Sequence, residues 1–386
     1  MSGILQFLLV AAPSFVVVLS LVVFVHEFGH FRVARWCGVA IDTFSIGFGK
    51  TIFGWRDHKG VQWKVGALPL GGYVKFADDA DAMSTAPREA IQDPEELAAA
   101  RAKGLFHAQP LAKRAAVVAA GPLTNFVFSI LAFSLLIFIS GRDVARVDNV
   151  RPGTPAAQAG LVTGDVITAI DGQRVKDFQD LQRIVSPSLG RTLSFEVTRN
   201  GATRVVQLTP IPNPDHPQVA AIGVEHTSSF ERRQRIGPLD ALADGAEQTW
   251  GMVAQTGAYI ADVFRGHANA NQIAGPAGIF MVSGQVASDA LAVPDVSIWQ
   301  RIEYLLLSLL NLAAILSVAV GIVNLLPIPI LDGGHLLFYG IEGLRGGRPL
   351  PAAAQEWAYR AGFAVMASLF LFATWNDISR LLPGMR

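Results

Sequence analysis

Long apolar runs alternate with polar, turn-rich stretches along the chain, and four of the runs are long enough to cross roughly 30 Å of hydrocarbon. The first extends from about Ile4 to His30, with no formal charge before His26. The second covers about Ala115 to Ile139 and the third about Tyr304 to Leu326, both uncharged. The fourth, about Trp357 to Leu382, is interrupted by Arg360 and Asp377. The first run lacks a basic leader and a small-residue cleavage site, so a retained helix is expected rather than a signal peptide.

Between the spans the period changes. Phe44-Ser-Ile-Gly-Phe-Gly49 and Trp63-Lys-Val-Gly-Ala-Leu-Pro-Leu-Gly-Gly-Tyr-Val-Lys-Phe76 alternate and carry glycines, which predicts hairpin strands lying against the membrane domain. An acidic, Ala-rich stretch follows, with Asp78, Asp79, Asp81, Glu89, Asp93, Glu95 and Glu96, and reads as a solvated loop and short helix. After the second span, Val147 to Val150 reads as a strand, Pro152 to Leu161 as a turn and short helix ending at Gly160, and Phe178 to Val185 as an amphipathic helix. Thr192 to Thr198 and Thr203 to Leu208 form a hairpin over Arg199-Asn-Gly201. Leu239 to Phe264 repeats its apolar positions at helical spacing and is expected on the outer surface of the bilayer, with another short apolar helix from about Phe280 to Ala287.

The resulting division is 1–31 (first span), 32–114 (loop with a membrane-associated β-element), 115–139 (second span), 140–224 (small α/β domain), 225–300 (amphipathic helical region), 301–335 (third span), 336–356 (loop) and 357–386 (fourth span). Apolar residues make up 51% and charged residues 16% of the chain. The formal net charge is zero, so nothing global attracts nucleic acid. The single cysteine, Cys37, excludes an internal disulfide. Basic residues flank the first loop (Arg32, Arg35, Lys113, Arg114) and the last one (Arg345, Arg348), which places those loops inside and residues 140–303 outside.

Chemistry concentrates where two spans end. His26-Glu-Phe-Gly-His30 sets two imidazoles one helical turn apart, the spacing that lets both hold one Zn²⁺ with Glu27 beside it. Ionisable groups at membrane depth are costly and point to function. The third span ends in Val323-Asn-Leu-Leu-Pro-Ile-Pro-Ile-Leu-Asp-Gly-Gly-His335, where Pro327 and Pro329 break the helix. Asp332 beside that break is a candidate third ligand, and three protein ligands leave one position open for water. His335 is a rival ligand, with a supporting role beside the metal as its alternative. Asn324 carries an amide in an apolar stretch and needs a partner, either another helix or a substrate backbone.

Two resemblances follow from these residues. Pro155-Ala-Ala-Gln-Ala-Gly-Leu161 with Thr163-Gly-Asp-Val-Ile167 resembles a PDZ domain of the bacterial protease-associated type, for which Gly160 and Leu161 are candidate peptide contacts. HEFGH in the first span, Gly121-Pro-Leu-Thr-Asn125 in the second and Asn-x-x-Pro-x-Pro-x-Leu-Asp-Gly-Gly in the third resemble the site-2 protease family of intramembrane zinc metalloproteases, in its bacterial sigma-E regulator protease (RseP) branch. The resemblance implies a polytopic α-helical membrane protein with four transmembrane helices, a re-entrant β-hairpin element and an inserted periplasmic PDZ domain. It implies zinc on His26, His30 and Asp332, Glu27 as catalytic acid and base, Asn324 at the substrate, and pairing of the Gly71-Gly72-Tyr73 strand with the substrate. It also implies an inner-membrane location with the active site toward the cytoplasm. Single-pass membrane proteins such as an anti-sigma factor or a signal-peptide remnant are the expected substrates, after an upstream site-1 protease. Best-known members carry two PDZ modules, and this chain carries one. A non-hydrolytic PDZ-bearing adaptor and a zinc sensor or transporter are the alternatives. The adaptor makes Glu27 dispensable, and the transporter wants ionisable groups distributed along the spans.

Overall fold

The computed structural model describes residues 2–77, 91, 93–142, 144–213, 219–225, 234–266 and 275–381, so Asp78, Asp79, Asp81 and Glu89 of the acidic stretch lie outside the described residues. The chain divides into two compact units, one of residues 1–133 and 244–386 and one of residues 134–243.

The larger unit holds four helices long and apolar enough to cross a membrane among the described residues. They lie in α1 (Ser2–Trp36), α3 (Leu111–Ser140), α8 (Ile298–Leu325) and α10 (Ala352–Leu381). α1 runs six residues past His30, so the HExxH segment is inside a helix rather than at its end. Nothing between Phe31 and Trp36 breaks it; the turn comes at Gly38, whose φ of +79° suits glycine.

Between α1 and α3 lies the β-element, β1 (Ile41–Arg56) and β2 (Gln62–Phe76), followed by α2 (Pro94–Ala102), which Asp93 caps. This is more than a hairpin. Ile41–Ile46 pairs with Gly72–Phe76 on one side and with Gln62–Val65 on the other. Gln62–Gly66 pairs in turn with Thr51–Arg56. The order is therefore 72–76, 41–46, 62–66, 51–56, with residues 72–76 on an edge. Phe44, Val61, Val74 and Phe76 bury their side chains with Phe31 and Ala34 of α1 and Val117 of α3. That core fixes the sheet beside the HExxH segment.

Pro238–Phe264 forms α6 and Pro276–Leu291 forms α7. The sequence places α7 in an outer amphipathic region; instead it packs in the bundle. Ala287 shares a core with Val18 and Val22 of α1 and Leu309, Leu312 and Ala313 of α8. Gly284 permits the close approach, because a Cβ there would lie 2.5 Å from that of Ala11. The buried Asp377 of α10 accepts hydrogen bonds from the N–H groups of Gly275 (3.0 Å) and Gly278 (2.8 Å), satisfying donors at the start of α7. The short α9 (Asp332–Leu344) doubles back from α8. A Cβ on Gly333 would strike the carbonyls of Leu325 and Leu326, and one on Gly334 that of Ile328, so the Gly-Gly pair is what lets the first turn of α9 pack on the end of α8.

The smaller unit contains the region whose sequence resembles a PDZ domain. It contains β3 (Asn149–Val150), α4 (Pro155–Gln158), β4 (Val166–Ile170), β5 (Gln173–Arg174), α5 (Phe178–Val185), β6 (Leu193–Arg199), β7 (Ala202–Leu208), β8 (Ile211–Pro212), β9 (Ala220–Ala221) and β10 (Val224–Glu225). A four-stranded sheet has the order β5-β4-β6-β7, and β10 pairs with β3. Asn200 and Gly201, both at positive φ, turn the β6–β7 hairpin. Ile167, Ile170, Leu181, Val185, Phe195 and Val197 belong to its core. Asp165 is fully buried and accepts from Arg199 (2.6 and 2.7 Å) and from the N–H of Val162 (3.0 Å).

Candidate metal centre

α1 delivers His26 and His30 on one face, and α9 delivers Asp332 in its first turn. Among the described residues these three form a metal-capable group. Nε2 of His26 lies 3.2 Å from Nε2 of His30 and 3.2 Å from Oδ2 of Asp332, and the third side, His30 to Asp332, is 3.4 Å. Ligands bound at 2.0–2.1 Å on a tetrahedral ion lie about 3.3–3.4 Å apart, so the triangle has the right size for zinc. Oδ2 of Asp332 is enclosed and has no hydrogen-bond partner, as expected of an oxygen reserved for a cation.

The outer faces of the imidazoles are held by α3. Nδ1 of His30 is 2.9 Å from the carbonyl of Val117, which makes it the protonated nitrogen and leaves Nε2 free to ligate. Nδ1 of His26 is 3.2 Å from the side-chain amide of Asn125. Gly121 sits between these contacts, and a Cβ there would meet the rings of both histidines. Spacing alone did not reveal Val117, Gly121 or Asn125 as neighbours of the centre. The Gly121-to-Asn125 segment was visible only as a pattern, because its partner lies on another helix.

Of the remaining expected site residues, Gly72, Tyr73, Asn324 and His335 line one cavity of about 880 Å³ that also reaches His26, Glu27 and His30, and Gly71 adjoins it in sequence. Gly72 lies against Glu27: a Cβ added there would sit 3.0 Å from Glu27 Cγ and 2.8 Å from Val23 Cγ1. Val74 turns its backbone N–H toward the Glu27 carboxylate. Gly71, at φ +143°, leaves room for the Phe48 ring, and Tyr73 stacks on that same ring. Asn324 lines the cavity and donates to the carbonyl of Val320 at 3.0 Å, so one of its amide protons is already used within α8. His335 lines the cavity one turn along α9 from Asp332, outside the metal-capable group. Arg114 of α3 clamps Glu342 of α9 through two hydrogen bonds (2.5 and 3.2 Å), tying the helix that carries Asp332 to the helix that orients the histidines.

In the smaller unit, Gly160 and Leu161 have defined roles in the fold. Leu161 is a core side chain, and the carbonyl of Gly160 accepts from Arg199 (2.9 Å) and Arg204 (2.7 Å). The two arginines that reach the Gly160 carbonyl also hold Asp165.

Comparison with known proteins gives the same reading. The model of peptidase family M50 matches residues 14–369. The chain belongs to peptidase family M50. Its relatives include a protein of Rhizobium meliloti (strain 1021) catalogued as a candidate zinc metalloprotease, 41% identical, with 99% of this chain and 100% of that one covered. Metalloprotease MmpA of Caulobacter vibrioides is 38% identical, with 96% of each chain covered. The regulator of sigma-E protease RseP of Escherichia coli (strain K12) is 27% identical, with 95% of this chain and 98% of that one covered. That last alignment is 470 positions long, more than the 386 residues here, so RseP carries inserted sequence that this M50 member lacks.

Proposed function

We propose that this M50 protease is a zinc-dependent endopeptidase that cuts single-pass membrane proteins within or near their transmembrane segment. The observation that carries the reading is the largely enclosed His26–His30–Asp332 triangle, with Glu27 beside it, opening on a cavity and built on a helix apolar enough to span a bilayer. Zinc, when bound, supplies Lewis acidity toward water and the scissile carbonyl. Glu27 takes the proton from water and returns it to the leaving amine. A substrate helix has its amides satisfied internally and must unwind before attack. The edge at Gly72–Val74 then offers replacement pairing, with Gly71, Gly72 and Tyr73 shaping its approach and the Asn324 amide holding the backbone.

The basic residues that flank the first and last loops support an inner-membrane protein with its centre toward the cytoplasm and its PDZ domain outside. In that arrangement the PDZ domain limits access, so a bulky external domain must first be removed by another protease. Anti-sigma factors and signal-peptide remnants are substrates of the required form. If deletion of residues 144–208 leaves a folded enzyme that cuts trimmed substrate but still ignores untrimmed substrate, the gate lies elsewhere.

The decisive experiment is Glu27→Gln. The variant should keep its fold and zinc and lose cleavage of a model transmembrane substrate by several orders of magnitude. Near-wild-type cleavage by the purified variant would refute the proteolytic mechanism and favour a non-hydrolytic adaptor.

A further inference from the structure

Each histidine of the centre has one nitrogen turned to the other two ligands and one turned to α3. For His30 the α3 partner is the Val117 carbonyl, which can only accept. For His26 it is the Asn125 side chain, two turns further along α3. Asn125 is fully buried. Its backbone carbonyl lies 2.9 Å from the hydroxyl of Ser129 and 3.2 Å from that of Ser317 on α8, which pins the residue between two helices.

The amide has two orientations with opposite consequences. With Nδ2 toward His26 it donates to Nδ1, so the imidazole proton sits on Nε2 and blocks the very lone pair that faces His30 and Asp332. With Oδ1 toward His26 it accepts the Nδ1 proton and leaves Nε2 bare. As placed, Nδ2 faces the ring and Oδ1 is a buried oxygen with no partner. An enclosed, unsatisfied acceptor costs about 1–3 kcal/mol, and a half-turn of the amide gives it a donor.

We infer that Asn125 is the positioning residue of His26: its side-chain carbonyl accepts the Nδ1 proton and thereby fixes the tautomer whose Nε2 can bind zinc. The inference rests on the zinc-protease reading above and adds a residue to it. Asn125 touches neither substrate nor metal and acts through the imidazole. Hydrogen-bond partners on the far nitrogen of a ligating histidine fix its ring and raise its basicity, and their loss typically weakens metal binding about 10- to 100-fold. A side chain that merely glued α3 to α1 would contribute to stability and leave the tautomer alone.

The test measures zinc affinity by chelator competition on the full-length, detergent-purified protein and on Asn125→Asp, Asn125→Ala and Asn125→Leu. Folding of each is checked by circular dichroism and size-exclusion chromatography. Aspartate retains the acceptor and should bind zinc at least about as tightly as the wild type. Alanine and leucine remove it and should bind about 10- to 100-fold more weakly. A second readout is ¹⁵N-histidine NMR of the zinc-loaded protein, where a slowly exchanging Nδ1–H of His26 should appear in the wild type and in Asn125→Asp, and exchange away in Asn125→Ala. The inference is overturned if folded alanine variant binds zinc within about twofold of wild type, or if aspartate loses as much affinity as alanine. A wild-type protein that binds no zinc overturns the underlying reading as well, which separates the two failures.

Discussion

Replacing Gly121 by alanine sets two physical effects against each other. Gly121 lies inside α3, where alanine is favoured over glycine by about 1 kcal/mol on helix propensity alone. The added Cβ would lie 2.5 Å from Cε1 of His30 and 2.9 Å from Cε1 of His26, and closer still to Nε2 of His30. Ordinary carbon–carbon contact needs about 3.5 Å or more. The rings must therefore withdraw by roughly 0.5–1 Å, or α1 and α3 must part. Parting is resisted at the next contact, where Gly29 packs on Ala120 and Thr124. Ring displacement of that size opens a ligand triangle whose sides are 3.2–3.4 Å, and ligand distances tolerate only about 0.2 Å. Overpacking also costs about 1–3 kcal/mol, enough to cancel the propensity gain. The expected result is a folded protein of nearly unchanged thermal stability that has lost at least about tenfold in zinc affinity. Elemental analysis after dialysis against a graded chelator series measures the loss, with Gly251→Ala, a helical glycine of α6 with open space around it, as the control. Stoichiometric zinc at wild-type affinity in Gly121→Ala would refute the steric argument and the close α1–α3 geometry behind it.

Asp332→Ala should strip the metal and His335→Ala should leave it, because only the carboxylate completes the triangle; elemental analysis with the reverse pattern would make His335 the ligand. Val74→Pro removes an N–H that points off the sheet edge toward Glu27, so cleavage should fall while zinc content holds. Lys75→Pro removes one turned into the pairing with Thr43 and should instead destabilise the sheet, seen as faster hydrogen exchange over Ile41–Phe76; equal effects of both variants would contradict this register. In the PDZ domain, burial opposes the charge of Asp165, but Arg199 and the Val162 N–H hold its carboxyl below the usual range. A group whose folded value is depressed stabilises above its unfolded value, about pH 4, and loses that contribution as pH falls through the folded value. Asp165→Asn should therefore cost about 2–3 kcal/mol at pH 7 and progressively less under acid, read as exchange protection over residues 144–213; equal protection of both proteins at pH 7 would count against it.

Periodicity and spacing were enough for the parts whose logic is local. Four apolar runs gave four helices, the His26–His30 spacing requires only one helical turn, and Asn200-Gly201 marks its hairpin without help from the rest of the chain. What failed to show was set by partners distant in sequence. α7 reads as an outer helix because Pro276–Leu291 is short for a span, yet its small residues, Gly284 and Ala287, fit it between α1 and α8. Asp377 looked like an interruption of the fourth span, and it is the carboxylate that caps α7. The β-element reads as a hairpin because pairing of one segment on both its edges leaves no trace in a period of two. The motif around Gly160 and Leu161 also carries a core side chain and an acceptor for the arginines of the Asp165 cluster, which spacing alone does not show.

The third corner of the metal triangle stands on the chain reversal that opens α9, while the other two belong to α1. During synthesis the histidines emerge well before Asp332, so the centre cannot close until the chain through α9 has been made. Loop-closure entropy grows only slowly with length, by about 0.6 kcal/mol per doubling, so joining such remote segments is affordable once the intervening helices have packed. A bound ion would then act as a staple between α1 and α9, and its binding energy would become folding energy for the helices it joins. Incomplete chains and early truncations are thus left without a hydrolytic centre, a safeguard that follows from the order of the residues alone.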